Sequence, residues 1–283
     1  MKKQTSIIAL IIITIASCNP INKKTTWEYD GLKGEIKVAK TIFFELDTIE
    51  QMHEKQMFKS YSYVIIKYNP VGTWTEYRSF NYSSGSMWGE FPVFDNKGNI
   101  RERYDYTYSD SDSTLSRKFT YKKDKKGNTI EALCFSPTDS LISKYVYEYN
   151  RKGITSKRLN FNSQDSLTSI LIFEYDKMDN LLKASNFDAN DNLIDRIANT
   201  YNDKGNRTEK FDYNSKNELT NRTVYFYNEN DFCSEIHYYN AHNSLERKMS
   251  YEYKYDSGGN WIEKIDYEND KAIKMTEKEI EYY

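Results

Sequence analysis

A short phrase typical of a tight turn recurs along the chain at a nearly constant interval. It reads Asn-Asp-Lys-Gly-Asn at 202–206, and related phrases lie at 94–99, 123–128, 149–153 and 255–260. Successive copies are separated by 26, 29, 26, 26, 26, 26 and 28 residues. The Asx residues that begin them are Asn69, Asp95, Asp124, Asn150, Asp176, Asn202, Asn228 and Asp256. Such a period is typical of a repeat protein, in which each copy is one small structural unit.

The residue types within each copy predict a β-hairpin turn. An Asx side chain starts a turn by accepting a hydrogen bond from the backbone two residues further on. The third residue after it is always glycine or aspartate, which tolerate the positive φ that a hairpin loop requires. These residues are Gly72, Gly98, Gly127, Gly153, Gly205 and Gly259, with Asp179 and Asp231 in the other two copies.

The segments between the turns alternate as β-strands do. In 141–149, one face carries Leu141, Tyr145, Tyr147 and Tyr149, while the other is mixed. This alternation is typical of a half-buried strand. We therefore predict an all-β fold, a repetitive antiparallel meander of about 16–18 strands in a sheet that is curled or coiled around one aromatic face. An open single-layer sheet is the alternative.

The repeat also sets the expected domain organisation. Residues 27–283 are predicted to form a single β-hairpin repeat domain, with about eight units of about 26 residues from residue 68. An atypical N-terminal cap occupies 27–67, since terminal repeats often differ from the rest. Within it, 27–46 is predicted as a strand pair and 47–60 as a loop or a short helix.

The N-terminus is typical of an exported bacterial protein. Two lysines precede an apolar run at 7–15, which is too short for a transmembrane helix, so 1–17 is predicted to be a signal peptide. The run Ile15-Ala16-Ser17-Cys18 resembles the lipobox of bacterial lipoproteins. The resemblance implies cleavage before Cys18, a diacylglycerol thioether on its sulfur and an acylated new N-terminus. Several acyl chains anchor a protein firmly.

The expected location follows from this signal. Residues 18–26 are predicted to form a lipid-anchored tether. The protein is then a membrane-anchored lipoprotein of the cell envelope, expected at the outer membrane. Whether it faces the periplasm or the cell surface is left open. The alternative is an ordinary signal peptide followed by a chance cysteine.

An aromatic residue followed by Asx and then Gly-Asn resembles the YD-repeat family of bacterial Rhs-type proteins over roughly 60–283. The carrying residues are Phe94-Asp95 with Gly98-Asn99, Tyr201-Asn202 with Gly205-Asn206, and Tyr255-Asp256 with Gly259-Asn260. Members of that family wind an antiparallel sheet into a spiral that can form a shell around a toxin. This chain is too short for a closed shell and has no autocleaving segment or toxin tip, so the resemblance implies a small lipoprotein built from the same unit.

Few residues are candidates for chemistry. His53, His237 and His242 show no metal-ligand spacing. Glu209, Glu235 and Glu263 occupy equivalent repeat positions, but the row continues with mixed charges and predicts a solvated ladder. The net charge of −2 excludes a basic footprint for nucleic acid. We therefore expect no enzyme activity, no cofactor and no metal.

The remaining cysteines and tryptophans are assigned structural roles. Almost four repeats separate Cys134 from Cys233, so both thiols are predicted to be free and mostly buried. Rows of tyrosine and tryptophan offer faces for stacking on sugars, but core packing is favoured for Trp74, Trp88 and Trp261.

Three functions remain open at this point. The leading hypothesis is a non-enzymatic envelope lipoprotein whose repeat surface binds a protein or a glycan. The alternatives are a remnant or accessory of a Rhs-type toxin system, and an envelope hydrolase.

Overall fold

The computed structural model describes residues 31–46, 58–82, 84–109 and 112–283, and these ranges contain eighteen β-strands. The strands are β1 (Ile36–Leu46), β2 (Phe58–Tyr68), β3 (Trp74–Asn81), β4 (Ser86–Phe94), β5 (Ile100–Ser109), β6 (Asp112–Lys123), β7 (Thr129–Phe135), β8 (Leu141–Tyr149), β9 (Thr155–Asn162), β10 (Leu167–Tyr175), β11 (Leu181–Asp188), β12 (Leu193–Tyr201), β13 (Arg207–Tyr213), β14 (Leu219–Tyr227), β15 (Cys233–Asn240), β16 (Leu245–Tyr255), β17 (Trp261–Glu268) and β18 (Lys271–Tyr282). Within the same ranges, no helix is long and apolar enough to cross a membrane.

The strands form a closed antiparallel barrel. Each strand pairs with its sequence neighbours, and β1 pairs with both β2 and β18. The predicted curled or coiled sheet is therefore wrong, and so is the open single-layer alternative, although the all-β, antiparallel character is as expected. An open sheet would leave two edges of unpaired backbone groups, which pairing of the first strand with the last removes.

The N-terminal strand β1 closes the ring. The strand pair expected in 27–46 is not present in its described part, since 31–46 holds the single strand β1. In this strand Ala39 stands opposite Ile66 on one side and Ile280 on the other. Residues 47–57 lie outside the described residues, as do the predicted signal peptide, the tether and Cys18.

Turns that begin with Asx join the strands at one end of the barrel, which we call the lower rim. In one of them, the amides of Lys204 and Asn206 donate to the Asn202 side-chain oxygen over 3.0 and 2.9 Å. The Gly205 amide donates to the Asn202 carbonyl, and Gly205 has a φ of 83°. A Gly or Asp amide donates to the Asx carbonyl in the same way after Asn69, Asp95, Asp124, Asn150, Asp176, Asn228 and Asp256.

A second set of turns forms the opposite end, which we call the upper rim. Five of them contain an aspartate or asparagine in the left-handed region, with φ between 57° and 63°. These residues are Asp139, Asp165, Asp191, Asn217 and Asn243. The strands therefore run between two rims of different composition.

The aromatic rings occupy both faces of the barrel wall. Inward side chains converge on a concave face, which holds most of the buried residues, such as Phe173, Asn199 and Met249. Tyr145 faces inward opposite Asn160, whereas Phe161 faces outward opposite Lys144. The single aromatic face expected from the sequence is not observed, because a register shift after each lower turn changes which residues share a face.

Near the lower rim, the hydroxyl groups of five inward-facing tyrosines each donate a hydrogen bond to the strand before their own. The acceptor is always the carbonyl of a residue twenty positions earlier, the first residue of the preceding strand. The bonds run from Tyr149 to Thr129 (2.6 Å), Tyr175 to Thr155 (2.9 Å), Tyr201 to Leu181 (2.8 Å), Tyr227 to Arg207 (2.7 Å) and Tyr253 to Cys233 (2.7 Å). The repeated tyrosine thus fastens successive hairpins at the lower rim.

We expect Tyr175→Phe to lower the free energy of unfolding by about 1 kcal/mol, because the Thr155 carbonyl loses its hydroxyl donor. Urea denaturation followed by tyrosine fluorescence measures the change. The matched control is Tyr213→Phe on the outer face, whose hydroxyl is not part of the ladder. Equal losses in the two variants would show that the ladder adds nothing.

The barrel is also expected to lose stability at alkaline pH. Burial raises the pKa of Tyr175 and of Tyr227 to about 12, so the folded state favours their neutral forms. This contribution is complete below the ordinary tyrosine pKa of about 10 and is lost as the pH rises through about 12. Tyrosinate absorbance, recorded alongside urea midpoints from pH 9 upward, tests it. Full ionisation of all tyrosines near pH 10 in an intact barrel would contradict it.

Candidate functional site

The inner wall is a layer of tyrosine rings and paired charges. The Arg103 guanidinium lies 2.9 Å from the Glu90 carboxylate and 2.9 Å from that of Asp105. Asp105 is only 2% exposed. Burial raises the pKa of both carboxyl groups, against the opposing charge of Arg103.

The same arrangement occurs on other inward-facing strands. Lys210 lies 2.7 Å from Asp212, and Lys264 lies 3.0 Å from Asp266. In these pairs each carboxylate is engaged by a base on its own strand. Among the described residues, no group of three or more His, Cys, Asp or Glu side chains is placed to hold a metal ion. The inner wall is accordingly best explained as packing.

The carboxylates singled out in the sequence lie on the outer face and in separate ion pairs. Glu209 pairs with Arg222, Glu235 lies 3.2 Å from Lys248, and Glu263 lies 2.6 Å from Lys254. They form no carboxylate couple of the kind that glycoside hydrolysis needs.

The histidines do not converge on one site. The His237 Nε2 atom lies 2.9 Å from the Glu235 carboxylate, and its ring centroid is 4.7 Å from that of Phe226. His242 is exposed in an upper turn. His53 lies outside the described residues.

The cysteines are free, as predicted. Cys134 is buried and Cys233 is half-buried. They lie on β7 and β15, eight strands apart around the ring, so closure of the barrel does not bring them together. Burial raises the pKa of both thiols, which disfavours their reactive thiolates.

The tryptophans pack against other side chains. The Trp88 ring is 5.6 Å from Tyr77, and the Trp261 ring is 6.2 Å from Tyr253. Trp74 packs against a buried cluster that includes Leu32. These contacts favour the core-packing interpretation of all three.

Basic side chains cover a row of aromatic rings on the outer wall. Lys144 lies 4.3 Å from the centre of the Phe161 ring, and Arg196 lies 3.8 Å from that of Tyr213. The Arg196 Nε atom also donates to the side-chain oxygen of Asn217 in the next upper turn, over 2.9 Å. Each basic residue thus stacks on a ring and holds a turn at once.

The cover is missing at one position. Twenty residues after the first Asx stands Gly89, directly opposite Tyr106. In other copies the residue opposite the equivalent ring has a large side chain, in the pairs Lys118–Phe135, Lys144–Phe161, Ile170–Phe187, Arg196–Tyr213 and Arg222–Tyr239. Tyr267, opposite Ser250, instead donates to Glu252 over 2.8 Å. Gly89 therefore leaves the Tyr106 ring without a cover.

A pocket of about 410 Å³ lies on the outer wall beside Gly89. Its main lining residues are Arg78, Phe91, Val93, Tyr104, Tyr106 and Tyr108. The Phe91 and Tyr106 ring centres are 5.8 Å apart, and those of Tyr106 and Tyr108 are 6.4 Å apart. The Arg78 guanidinium lies 5.5 Å from the Phe91 ring and 5.8 Å from the Tyr108 ring.

The charged groups around the pocket are already engaged. The Arg78 Nε atom lies 2.6 Å from the Glu76 carboxylate. The Tyr104 hydroxyl donates to Glu102 over 2.7 Å, and this bond, with burial, raises the pKa of Tyr104. The pocket therefore offers ring faces and hydroxyl groups, with its guanidinium neutralised.

A second group of rings adjoins the pocket. Phe80 lies 5.2 Å from Tyr63 and 4.8 Å from Tyr82, which is 52% exposed. Met87 stands between Phe80 and Tyr108 in the register. Together these side chains form what we call the aromatic patch, Tyr63, Phe80, Tyr82, Met87, Phe91, Tyr104, Tyr106 and Tyr108.

Sequence reasoning missed this patch. The signal was present at the position twenty residues after an Asx, where Lys144, Arg196 and Arg222 contrast with Gly89. Its meaning depended on knowing that this residue faces the ring of the next strand, which only the register supplies.

No protein-family model matches the chain. No curated protein sequence matches it either. Among solved structures, a porin-like protein from Bacteroides uniformis is similar at 10% identity and a TM-score of 0.48, over 88% of this chain and 98% of that one. A porin-like protein from Bacteroides vulgatus is similar at 10% identity and a TM-score of 0.32, over 86% of this chain and 97% of that one.

The Tc holotoxin pore of Photorhabdus luminescens is similar at 13% identity and a TM-score of 0.31, over 85% of this chain but 11% of that one. All of these TM-scores lie below 0.5, so the comparisons support no function by themselves. Membership of the YD-repeat family stays a prediction from the sequence.

Proposed function

We propose that the protein is a non-enzymatic lipoprotein of the cell envelope whose aromatic patch binds a neutral glycan. The observation that carries the proposal is the uncovered ring of Tyr106 opposite Gly89, in a pocket of about 410 Å³. Pockets of this size are large enough for a small-molecule ligand or one to two sugar units.

The chemistry of the lining fits a sugar. The apolar C–H face of a pyranose packs on aromatic rings, and tyrosine combines such a ring with a polar hydroxyl. Here Phe91 and Tyr106 meet at an interplanar angle of 76°, which gives a ligand two differently oriented faces. Ser113 and the Tyr104 hydroxyl lie at the same pocket, and the Tyr104 oxygen, whose proton is donated to Glu102, can still accept from a sugar hydroxyl.

The charge of the site favours a neutral sugar. An acidic glycan would need an uncompensated base, but Arg78 is paired with Glu76. Glu102, which accepts from Tyr104, adds negative charge beside the pocket. A carboxylated sugar would therefore meet repulsion without a matching attraction.

The outer wall favours a barrel that stands in water. Ion pairs such as Lys183–Glu174 (2.6 Å) and Lys254–Glu263 (2.6 Å) lie on its outward face. A lysine or arginine that faces lipid at the bilayer midplane costs about 2–4 kcal/mol. We therefore assign membrane attachment to lipid on Cys18 and not to the wall. No contact in the barrel specifically favours the toxin-accessory or hydrolase alternatives.

A glycan array followed by calorimetric titration tests the binding site. We expect Tyr106→Ala to weaken binding by about 10-fold or more, because a stacking face is lost. Gly89→Lys should weaken binding to a similar extent, because the lysine would cover the Tyr106 ring as in other copies. Phe91 must move to make room, since a Cβ at Gly89 would lie 3.0 Å from its ring.

The matched control is Phe161→Ala, which removes the equivalent ring in a copy where Lys144 covers it. This variant should bind as the original protein does. Equal weakening by Phe161→Ala and Tyr106→Ala, or binding of no neutral glycan, would overturn the proposal. If the original protein binds another protein instead of a glycan, and the same variants weaken that binding, the patch is reassigned to a protein partner.

Lipid attachment is tested separately. Expressed in a bacterial host, the chain should yield a product that begins at Cys18 and carries diacylglycerol and acyl groups, as intact mass spectrometry would show. Cys18→Ser should remove these groups and release the protein from membranes. A membrane-bound Cys18→Ser protein without lipid would contradict the assignment.

A further inference from the structure

We infer that the lower rim is the membrane-facing end of the barrel and that a basic arc on it docks on anionic lipid headgroups. The arc consists of Lys97, Lys125, Lys126, Arg151 and Lys152, which are all exposed in three lower turns. The orientation rests on the proposed anchor at Cys18, whereas the binding of the arc to lipid does not.

The N-terminal segment leaves the barrel at the lower rim. The Lys33 amide donates to the Asn260 side chain over 2.6 Å, and the Asn260 amide returns a bond to the Lys33 carbonyl over 2.9 Å. Leu32 is 4% exposed and Ile36 is completely buried. These contacts fix the chain at residues 31–36 against the turn at 256–260, so everything N-terminal to them starts from this end.

The length of the intervening chain limits where the membrane can be. Twelve residues separate Cys18 from Gly31 in the sequence. Such a stretch spans about 45 Å at full extension and about 20 Å on average if it is flexible. Strands of about nine residues, tilted by about 40°, make the wall about 23 Å tall. A membrane at the lower rim therefore needs no extension of this segment, whereas a membrane at the upper rim requires the segment to run along the whole wall.

Three adjacent lower turns differ in charge from five of the upper turns. The lower turns at 95–99, 124–128 and 150–154 carry five basic and two acidic residues, a net charge of +3. The upper turns at 136–140, 162–166, 188–192, 214–218 and 240–244 carry one lysine and five carboxylates, a net charge of −4. Anionic headgroups therefore attract this part of the lower rim and repel these upper turns.

The two carboxylates of these lower turns are held by backbone amides of their own turns. Asp95 accepts from the Lys97 amide over 2.9 Å, and Asp124 accepts from the Lys126 amide over 2.8 Å. The basic side chains of the same turns are exposed at the tips, although Lys152 also lies 2.7 Å from Asp179. The turn chemistry of the repeat thus separates the two signs of charge.

The arc covers only one side of the lower rim. The lower turns at 176–180, 228–232 and 256–260 carry more acidic than basic residues. Docking through the arc should therefore tilt the barrel toward the side of β4 to β9. The glycan pocket lies on this same side, and Tyr108 and Ser113, near the upper turn after β5, form the part of it farthest from the bilayer.

The test uses the chain from residue 18 onward with Cys18→Ser, which contains every strand but no lipid. Co-sedimentation compares vesicles of phosphatidylcholine alone with vesicles that also contain phosphatidylglycerol. We expect binding only to the anionic vesicles. The variant Lys125→Gln/Lys126→Gln should weaken it roughly 30-fold, from the loss of two basic residues near the surface.

The matched control is Lys216→Gln/Lys271→Gln, which removes two exposed lysines from the upper rim. It should bind as the parent does, and both variants should melt at similar temperatures. Equal binding to neutral and anionic vesicles, or equal weakening in the two double variants, would overturn the inference. Because the tested protein carries no lipid on residue 18 and no glycan is present, this result is independent of the anchor at Cys18 and of the glycan site.

Discussion

The pairing of β1 with β18 is the constraint on which the rest of the structure depends. Nine register pairs from Ile36 to Glu45 join the first strand to the last. This contact spans almost the whole sequence, so its entropic cost must be met by the hairpins already formed between neighbours. Once it forms, the sheet has no free edge, and its two faces become an inner and an outer wall.

Closure gives the two walls different chemistry. The inner wall pairs its charges locally, as Arg103 does with Glu90 and Asp105, because side chains converge there and bury carboxylates such as Asp105. The outer wall is solvated and carries longer basic side chains, such as Arg196 over Tyr213. The same repeat therefore supplies tyrosines to the inside and covered rings to the outside.

Function, as proposed, arises where the repeat is broken. In a regular copy, a basic side chain covers the outer aromatic ring and contacts the next upper turn. No ring face is then left free for a ligand. Gly89 removes one cover and exposes a pocket beside Tyr106. The basic arc is a similar departure, since three adjacent lower turns together carry a net positive charge while the other lower turns are neutral or acidic. Both features occur in positions that the scaffold tolerates, because neither removes a pair of the backbone ladder or one of the tyrosine bonds.

Local features followed from the sequence because they depend on neighbouring residues. Asn202 and Gly205 identified a turn through the geometry that their own backbone requires, and the alternation in 141–149 identified a strand. Free thiols at Cys134 and Cys233 followed from the distance along the repeat.

Only the tertiary structure decided closure, the assignment of faces and the location of the pocket. A repeat determines how each hairpin pairs with the next, but it does not determine whether β18 pairs with β1. The register shift after each turn moved the Phe161 row outward, against the expected common face. The importance of Gly89 appeared only when Tyr106 was found opposite it, since that contact joins two strands through a register that no local pattern encodes.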